Sequence, residues 1–150
     1  MRTILQRVKN ASVKVDGEVT GEIQNGILAL VGFEPEDTNE DFEWIAKKII
    51  QLRIFNDENG VMNLDINQVN GRLLVVSQFT LHASTKKGNR PSYIKASKPD
   101  IANQQYQDFL NTLEKVFEKK VETGIFGADM KVELLNDGPV TIFIDSKNKE

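Results

Sequence analysis

The run Ile27-Leu-Ala-Leu-Val-Gly-Phe33 carries no polar side chain. An apolar stretch of this length without alternation suits a strand covered on both faces. A second run, Arg72-Leu-Leu-Val-Val-Ser-Gln-Phe79, reads the same way, with the polar pair Ser77-Gln78 at its C-terminal end. Two such strands need layers above and below them, and the remaining segments are read for what supplies those layers.

Alternation of apolar and polar residues predicts strands over Thr3–Lys9 and Ala11–Val15. Asp16-Gly17 is a tight-turn dipeptide, so Val19–Ile23 is expected to pair back as a hairpin, and Asn25-Gly26 reads as a second turn. A helix is predicted from about Thr38 to Leu52. Asp37, Thr38 and Asn39 offer N-caps, Glu40, Asp41 and Glu43 suit the first turn, and Phe42, Ile45, Ala46, Ile49 and Leu52 share one face. Ile54-Phe55 is expected to be extended, with a turn over Asn56–Gly60.

Pro99-Asp100 opens a second helix, expected to reach about Lys120. Its inward stripe is Ile101, Tyr106, Phe109, Leu110, Leu113, Val116 and Phe117. Lys131–Leu135 and Val140–Ile144 read as strands joined by Asn136-Asp-Gly-Pro139, and Ser146–Glu150 as a frayed polar tail. Seven or eight strands and two helices predict a mixed α/β fold, sheet packed on sheet with helices over an outer face. At 150 residues the chain is expected to form one domain over 1–150, long enough to bury roughly two thirds of its unfolded surface.

Cysteine is absent and His82 is the only histidine. That excludes a disulfide framework, a thiolate nucleophile, a Cys/His zinc site and a Cys–His dyad. Neither a metal nor a cofactor is expected. No apolar run approaches a membrane span, and the N-terminal segment lacks the pattern of a signal peptide, so the expectation is a cytoplasmic protein. The net charge of −3 argues against a protein that coats nucleic acid. The charge is uneven, however. Ile66–Pro99 has no acidic residue and holds Arg72, Lys86, Lys87, Arg90, Lys95 and Lys98, a charge of +6. The remaining 13 basic and 22 acidic residues stand at −9. The window is either a solvated basic loop or an anion-binding face.

Three segments are candidates for chemistry. Ser77-Gln-Phe-Thr80 places two hydroxyls and an amide where a buried strand runs out into a loop, the usual ligand position in layered α/β folds. The plainer alternative is that Ser77 and Thr80 only bond backbone there. A hydroxyl nucleophile needs a base, and His82, two residues beyond Thr80, is expected at the surface rather than in that role. Gly138-Pro139 suits a turn or bulge, because proline cannot donate to a ladder; the bond is either trans or a rigid cis turn with fixed carbonyls. Gly124-Ile-Phe-Gly127 lacks the third glycine of a dinucleotide fingerprint and reads as a loop with positive-φ glycines.

Taken together, the opening Met1-Arg-Thr-Ile-Leu-Gln-Arg-Val, Gly26–Gly32, Ser77-Gln-Phe-Thr80, Lys87-Gly-Asn-Arg-Pro-Ser92, Thr123–Met130 and Asn136-Asp-Gly-Pro-Val-Thr141 resemble the D-aminoacyl-tRNA deacylase family over nearly the whole chain. The resemblance implies a three-layer β/β/α subunit with mostly antiparallel sheets and two helices. It implies a homodimer with its active site at the interface, and hydrolysis of the ester joining a D-amino acid, or glycine, to the aminoacylated 3′ end of tRNA. Ser77, Gln78, Phe79 and Thr80 of one subunit would face a cis Gly138-Pro139 of the other. Those two carbonyls would capture the amino group and leave no room for an L side chain, with Arg7 fixing the dipeptide. Lys86, Lys87 and Arg90 would contact the tRNA.

An activated ester asks mainly for positioning and oxyanion stabilisation. Main-chain N–H groups near Phe79 and Thr80, with the Gln78 amide, fit that need, and attack by water helped by the ribose 2′-hydroxyl asks less of the protein than a covalent Thr80. Two other readings stand beside this one. One is a non-catalytic RNA-binding module that uses the basic window. The other is a small-ester hydrolase built on Ser77 or Thr80 with His82, which would lose nearly all activity on replacing His82 by alanine.

Overall fold

The computed structural model describes residues 1–150. The first strand, β1, runs unbroken from Arg2 to Val15, where two separate strands were expected. Hairpin partner β2 (Glu18–Ile23) and the apolar β3 (Gly26–Gly32) follow. Helix α1 spans Asn39–Gln51. Asp41 Oδ2 accepts from the Thr38 N–H at 2.8 Å and from the Thr38 hydroxyl at 3.1 Å, which fixes the helix start. Next come β4 (Phe55–Asn56) and β5 (Met62–Leu64), a two-stranded hairpin around the expected turn. Then β6 (Arg72–Ser77), α2 (Pro99–Phe117), a two-residue β7 (Glu122–Thr123) and β8 (Lys131–Asp145) complete the chain.

Strand β1 organises the sheet. On one edge β3 pairs antiparallel with its first half and β2 with its second half; β8 runs antiparallel along the whole of the other edge. β6 joins β3 in parallel, in register from Gly26–Arg72 to Val31–Ser77.

Alternation along β1 sends residues to two cores. Met1, Leu5, Ile27, Ala29, Val31, Leu73 and Val75 pack against Phe42, Ile45 and Ile49 of α1 and Phe109, Leu113 and Phe117 of α2. Val8, Ala11, Val13, Ile23, Leu28, Leu74 and Val76 fill a second core. The continuously apolar β3 and β6 supply residues to both, so the sheet is covered on both faces and the helices form the outer layer, as the β/β/α expectation had it.

Several local expectations need correction. β6 ends at Ser77, two residues before the expected Phe79, and Phe79–His82 is a short 3₁₀ helix where a loop was expected to begin. α2 stops at Phe117, where Glu118 takes a left-handed C-cap at φ +57°, three residues before the expected end. Ile101 faces solvent instead of the core, because the buried stripe starts at Ala102. Gly127 has positive φ but Gly124 does not.

The tail is tied down as far as Lys147. Ser146 Oγ accepts from the Met1 amine at 2.9 Å, and Lys147 Nζ donates to Asp41 Oδ2 at 2.7 Å. Asp41 lies well below the usual carboxylate range although its burial opposes this, because the bonds from Lys147 and Thr38 prevail.

Candidate active site

Parallel pairing of β3 with β6 brings their C-terminal ends side by side, and the Gln78 N–H still donates to Val31 O at 2.6 Å beyond the last ladder pair. There the chain leaves the sheet into the 3₁₀ turn. The first bond of that turn is from Leu81 N–H to Gln78 O, at 3.2 Å. The N–H groups of Phe79 and Thr80 precede it and donate to no protein acceptor, as first-turn donors do. Gln78 Nε2 donates to Thr80 Oγ1 at 2.6 Å, so one of its two amide protons is committed and the other is free.

Ser77, Gln78 and Phe79 line a cleft of about 800 Å³. Its floor is Val31–Phe33 and Val76–Phe79, one wall is Tyr93–Pro99 with Ala102 of α2, and the other is Phe126–Met130. Phe79 is exposed and meets Tyr93 edge to face at 5.0 Å between centroids. Tyr93 follows a loop pinched by the Ser84–Ser92 bridge, whose exposed tip carries Lys86, Lys87 and Arg90. The basic tip and the Ser77–Thr80 segment are thus joined through Tyr93.

His82 is 1% exposed, not at the surface as expected. Neither ring nitrogen has a hydrogen-bond partner. The ring lies under β3, with Nδ1 3.9 Å from Glu34 Oε2, and makes no bond to Ser77 or Thr80. The triad-like arrangement of the small-ester hydrolase reading is therefore not assembled. No three histidine, aspartate or glutamate side chains converge as metal ligands would.

The second candidate segment lies apart from this cleft and lines none of it. The β1–β8 ladder runs from the Val8–Asn136 pair to the Gln6–Thr141 pair, so Asp137–Val140 stand opposite Arg7 alone. The Gly138–Pro139 bond in this bulge is cis. Arg7 is 6% exposed and holds three acceptors: Nε donates to Asp137 O at 2.7 Å, and Nη1 donates to Ile54 O at 2.7 Å and to Asn56 Oδ1 at 3.2 Å. Asn136 Oδ1 accepts from the Val140 N–H at 2.8 Å and closes the bulge from the other side. Gly138 sits at φ +147°, and a Cβ there would lie 2.8 Å from Val140 Cγ2 and 3.1 Å from Arg7 Nη2. Both residues of the dipeptide are exposed.

One chain therefore unites Arg7 with Gly138-Pro139, and Ser77–Phe79 with the cleft, but not the two groups with each other. Sequence reading missed Ser97, Phe126 and Met130 as cleft residues. They come from the α2 approach and the β7–β8 loop, which no local pattern places beside β6.

A profile of the D-Tyr-tRNA(Tyr) deacylase family matches residues 4–145. Curated proteins named D-aminoacyl-tRNA deacylase are similar over the full length of both chains: 65% identical in Flavobacterium johnsoniae, 63% in Parabacteroides distasonis and 62% in Bacteroides fragilis. Among solved structures, one titled c-Myc DNA Unwinding Element Binding Protein superposes with TM-score 0.91 at 39% identity, over 97% of this chain and 98% of that one. A probable eukaryotic D-amino acid tRNA deacylase shares the fold with TM-score 0.82 at 15% identity, over 95% and 97% of the two chains.

Proposed function

The chain belongs to the D-Tyr-tRNA(Tyr) deacylase family, and from that premise we propose how residues 1–150, as one domain, hydrolyse the ester between a D-amino acid and the 3′-terminal ribose of tRNA. The observation that carries the reading is the pair of free N–H groups of Phe79 and Thr80, in the turn that leaves the cleft lined by Ser77, Gln78 and Phe79. Two main-chain donors and the free Gln78 amide proton are the equipment for an ester oxygen that becomes an oxyanion. Water attacks the ester carbon, the substrate's 2′-hydroxyl takes part in moving the proton, and the products are the free D-amino acid and tRNA. Thr80 positions Gln78 through their 2.6 Å bond, and no basic side chain accepts its proton.

Gly138 and Pro139 of a second copy complete the site. Their carbonyls receive the substrate amine and exclude an L side chain, while glycine, with no side chain, passes. Two features support this homodimer: the dipeptide is exposed yet rigidly held by Arg7, and Leu135 and Phe143 of the same strand are exposed apolar residues. The exposed loop with Lys86, Lys87 and Arg90 meets phosphates of the tRNA arm. No helix is long and apolar enough to cross a membrane, and the proposed setting is the cytoplasm, where tRNA is charged.

The test uses matched D- and L-tyrosyl-tRNA. Release of tyrosine from the D form alone is expected; equal rates, or no cleavage of the D form, would sink the proposal. A protein that only binds nucleic acid through the basic loop would retain tRNA in a salt-sensitive manner and cleave neither. Thr80→Ala is expected to lower kcat by about tenfold, the worth of one well-made hydrogen bond. Abolition of turnover with the fold intact would instead make Thr80 the nucleophile.

A further inference from the structure

The β1–β8 ladder breaks off at Asn136 and resumes at Thr141. The side chain of Asn136 spans that break. Its Nδ2 donates to Thr141 Oγ1 at 3.0 Å, and its Oδ1 accepts from the Val140 N–H at 2.8 Å. One amide, acting as donor and acceptor together, thus ties the last paired residue before the bulge to the two residues that end it. Arg7 holds the opposite flank through Asp137 O. The Asn136 grip reaches the dipeptide by direct contact. A Cβ on Gly138 would lie 2.8 Å from Val140 Cγ2 and 3.1 Å from Val140 N, so Val140 abuts Gly138 closely. Gly138 and Pro139 are exposed, so no core packing keeps them in place. A Val140 released by Asn136 therefore takes Gly138 with it.

We infer that Asn136 is a positioning residue for chiral selection: its amide sets the angle of Gly138-Pro139, and with it the margin by which an L side chain is refused. This rests on the deacylase reading above, in which the two carbonyls receive the substrate amine in a second copy's cleft. The two tasks of the dipeptide differ in their tolerance. A hydrogen bond from the amine accepts about 0.5 Å of slack. Refusal of a side chain is an overlap of atoms, and it disappears once those atoms can part. Loosening the bulge thus costs a D or glycyl ester little and gives an L ester much.

The experiment compares wild type with Asn136→Ala on D-tyrosyl-, L-tyrosyl- and glycyl-tRNA, with enzyme in excess for the slow L ester, and follows amide hydrogen exchange at Val140. Hydrolysis of the D and glycyl esters is expected to fall together, by roughly three- to tenfold in kcat/KM, while the preference for D over L shrinks by about tenfold or more. The Val140 N–H is expected to exchange at least about tenfold faster in the variant. A substitution that merely weakens the fold slows all three substrates alike. An unchanged ratio of D to L hydrolysis would therefore overturn the inference, and so would a Val140 amide that exchanges equally fast in both proteins. If Asn136→Ala is insoluble, Thr141→Val decides: it removes the acceptor of Nδ2 at an exposed position, and the D-to-L ratio is expected to fall by about threefold, no change again overturning the inference. Wild type inactive on every tRNA would sink the deacylase reading and this inference with it, whereas an active wild type and a variant with its chiral preference intact would remove the inference only.

Discussion

Replacing Arg7 by methionine is expected to abolish most D-aminoacyl-tRNA hydrolysis, by roughly a hundredfold or more in kcat/KM, and to cost about 3 kcal/mol of stability. Methionine keeps the apolar stem but removes every donor. The Ile54 carbonyl then loses a buried charged partner, and the Asp137–Val140 bulge loses the guanidinium that stands in for its missing ladder bonds. The stability arm is read from urea unfolding, where breaking a buried charged network is among the larger single-residue effects. Activity is read per folded molecule. Arg7→Lys is expected to fall between the two, because one ammonium cannot serve Asp137 O and Ile54 O as the guanidinium fork does. A methionine variant that turns over within about threefold of wild type, the scale of one ordinary hydrogen bond, would show that the dipeptide is held by something else.

Gly26→Ala is expected to be the most damaging substitution to the fold. Gly26 opens the parallel register of β3 with β6, and a Cβ built on it lies 1.9 Å from Arg72 O and 2.7 Å from Arg72 N. Both are backbone atoms, so no rotamer change relieves the clash and the two central strands must part. A loss of about 4 kcal/mol or more is expected, seen as a fall in Tm of about 10 °C or as insoluble protein. A soluble variant melting within about 3 °C of wild type would contradict that close approach. Sequence reading took Asn25-Gly26 for a turn, which explains a glycine by its own dihedral angles. The residue's φ is ordinary, and the reason for glycine is the neighbouring strand, 46 positions away in the chain.

The same contrast runs through the site. Ser77-Gln78-Phe79-Thr80 was legible because the polar pair Ser77-Gln78 ends an apolar run, and the strand end follows from that break. The 3₁₀ turn that frees the Phe79 and Thr80 N–H groups was not, since one local turn in place of two more strand residues leaves the apolar pattern unchanged. His82 was misplaced for a related reason. A lone histidine gives no periodicity, and its burial under β3 is decided by where the turn directs it. The tail looked frayed because charged residues fill it. Ser146 and Lys147 are nonetheless fixed, by the Met1 amine and by Asp41, more than a hundred residues distant in the chain.

By itself, the sequence determined the two helices and the longer strands, though not β5, β7 or the 3₁₀ turn, and that two apolar strands lie between layers, because burial on both faces is written into composition and period. It also pointed to main-chain chemistry, since a chain without cysteine and with one histidine offers few other reagents. Tertiary structure alone decided what lies beside what. It put Ile54 and Asn56 on the guanidinium that holds the Gly138-Pro139 bulge, Ser97 in the wall of the cleft that Ser77–Phe79 line, and the dipeptide away from that cleft within one chain. Those juxtapositions depend on pairing between segments far apart in sequence, where register and packing, rather than any local propensity, fix the outcome.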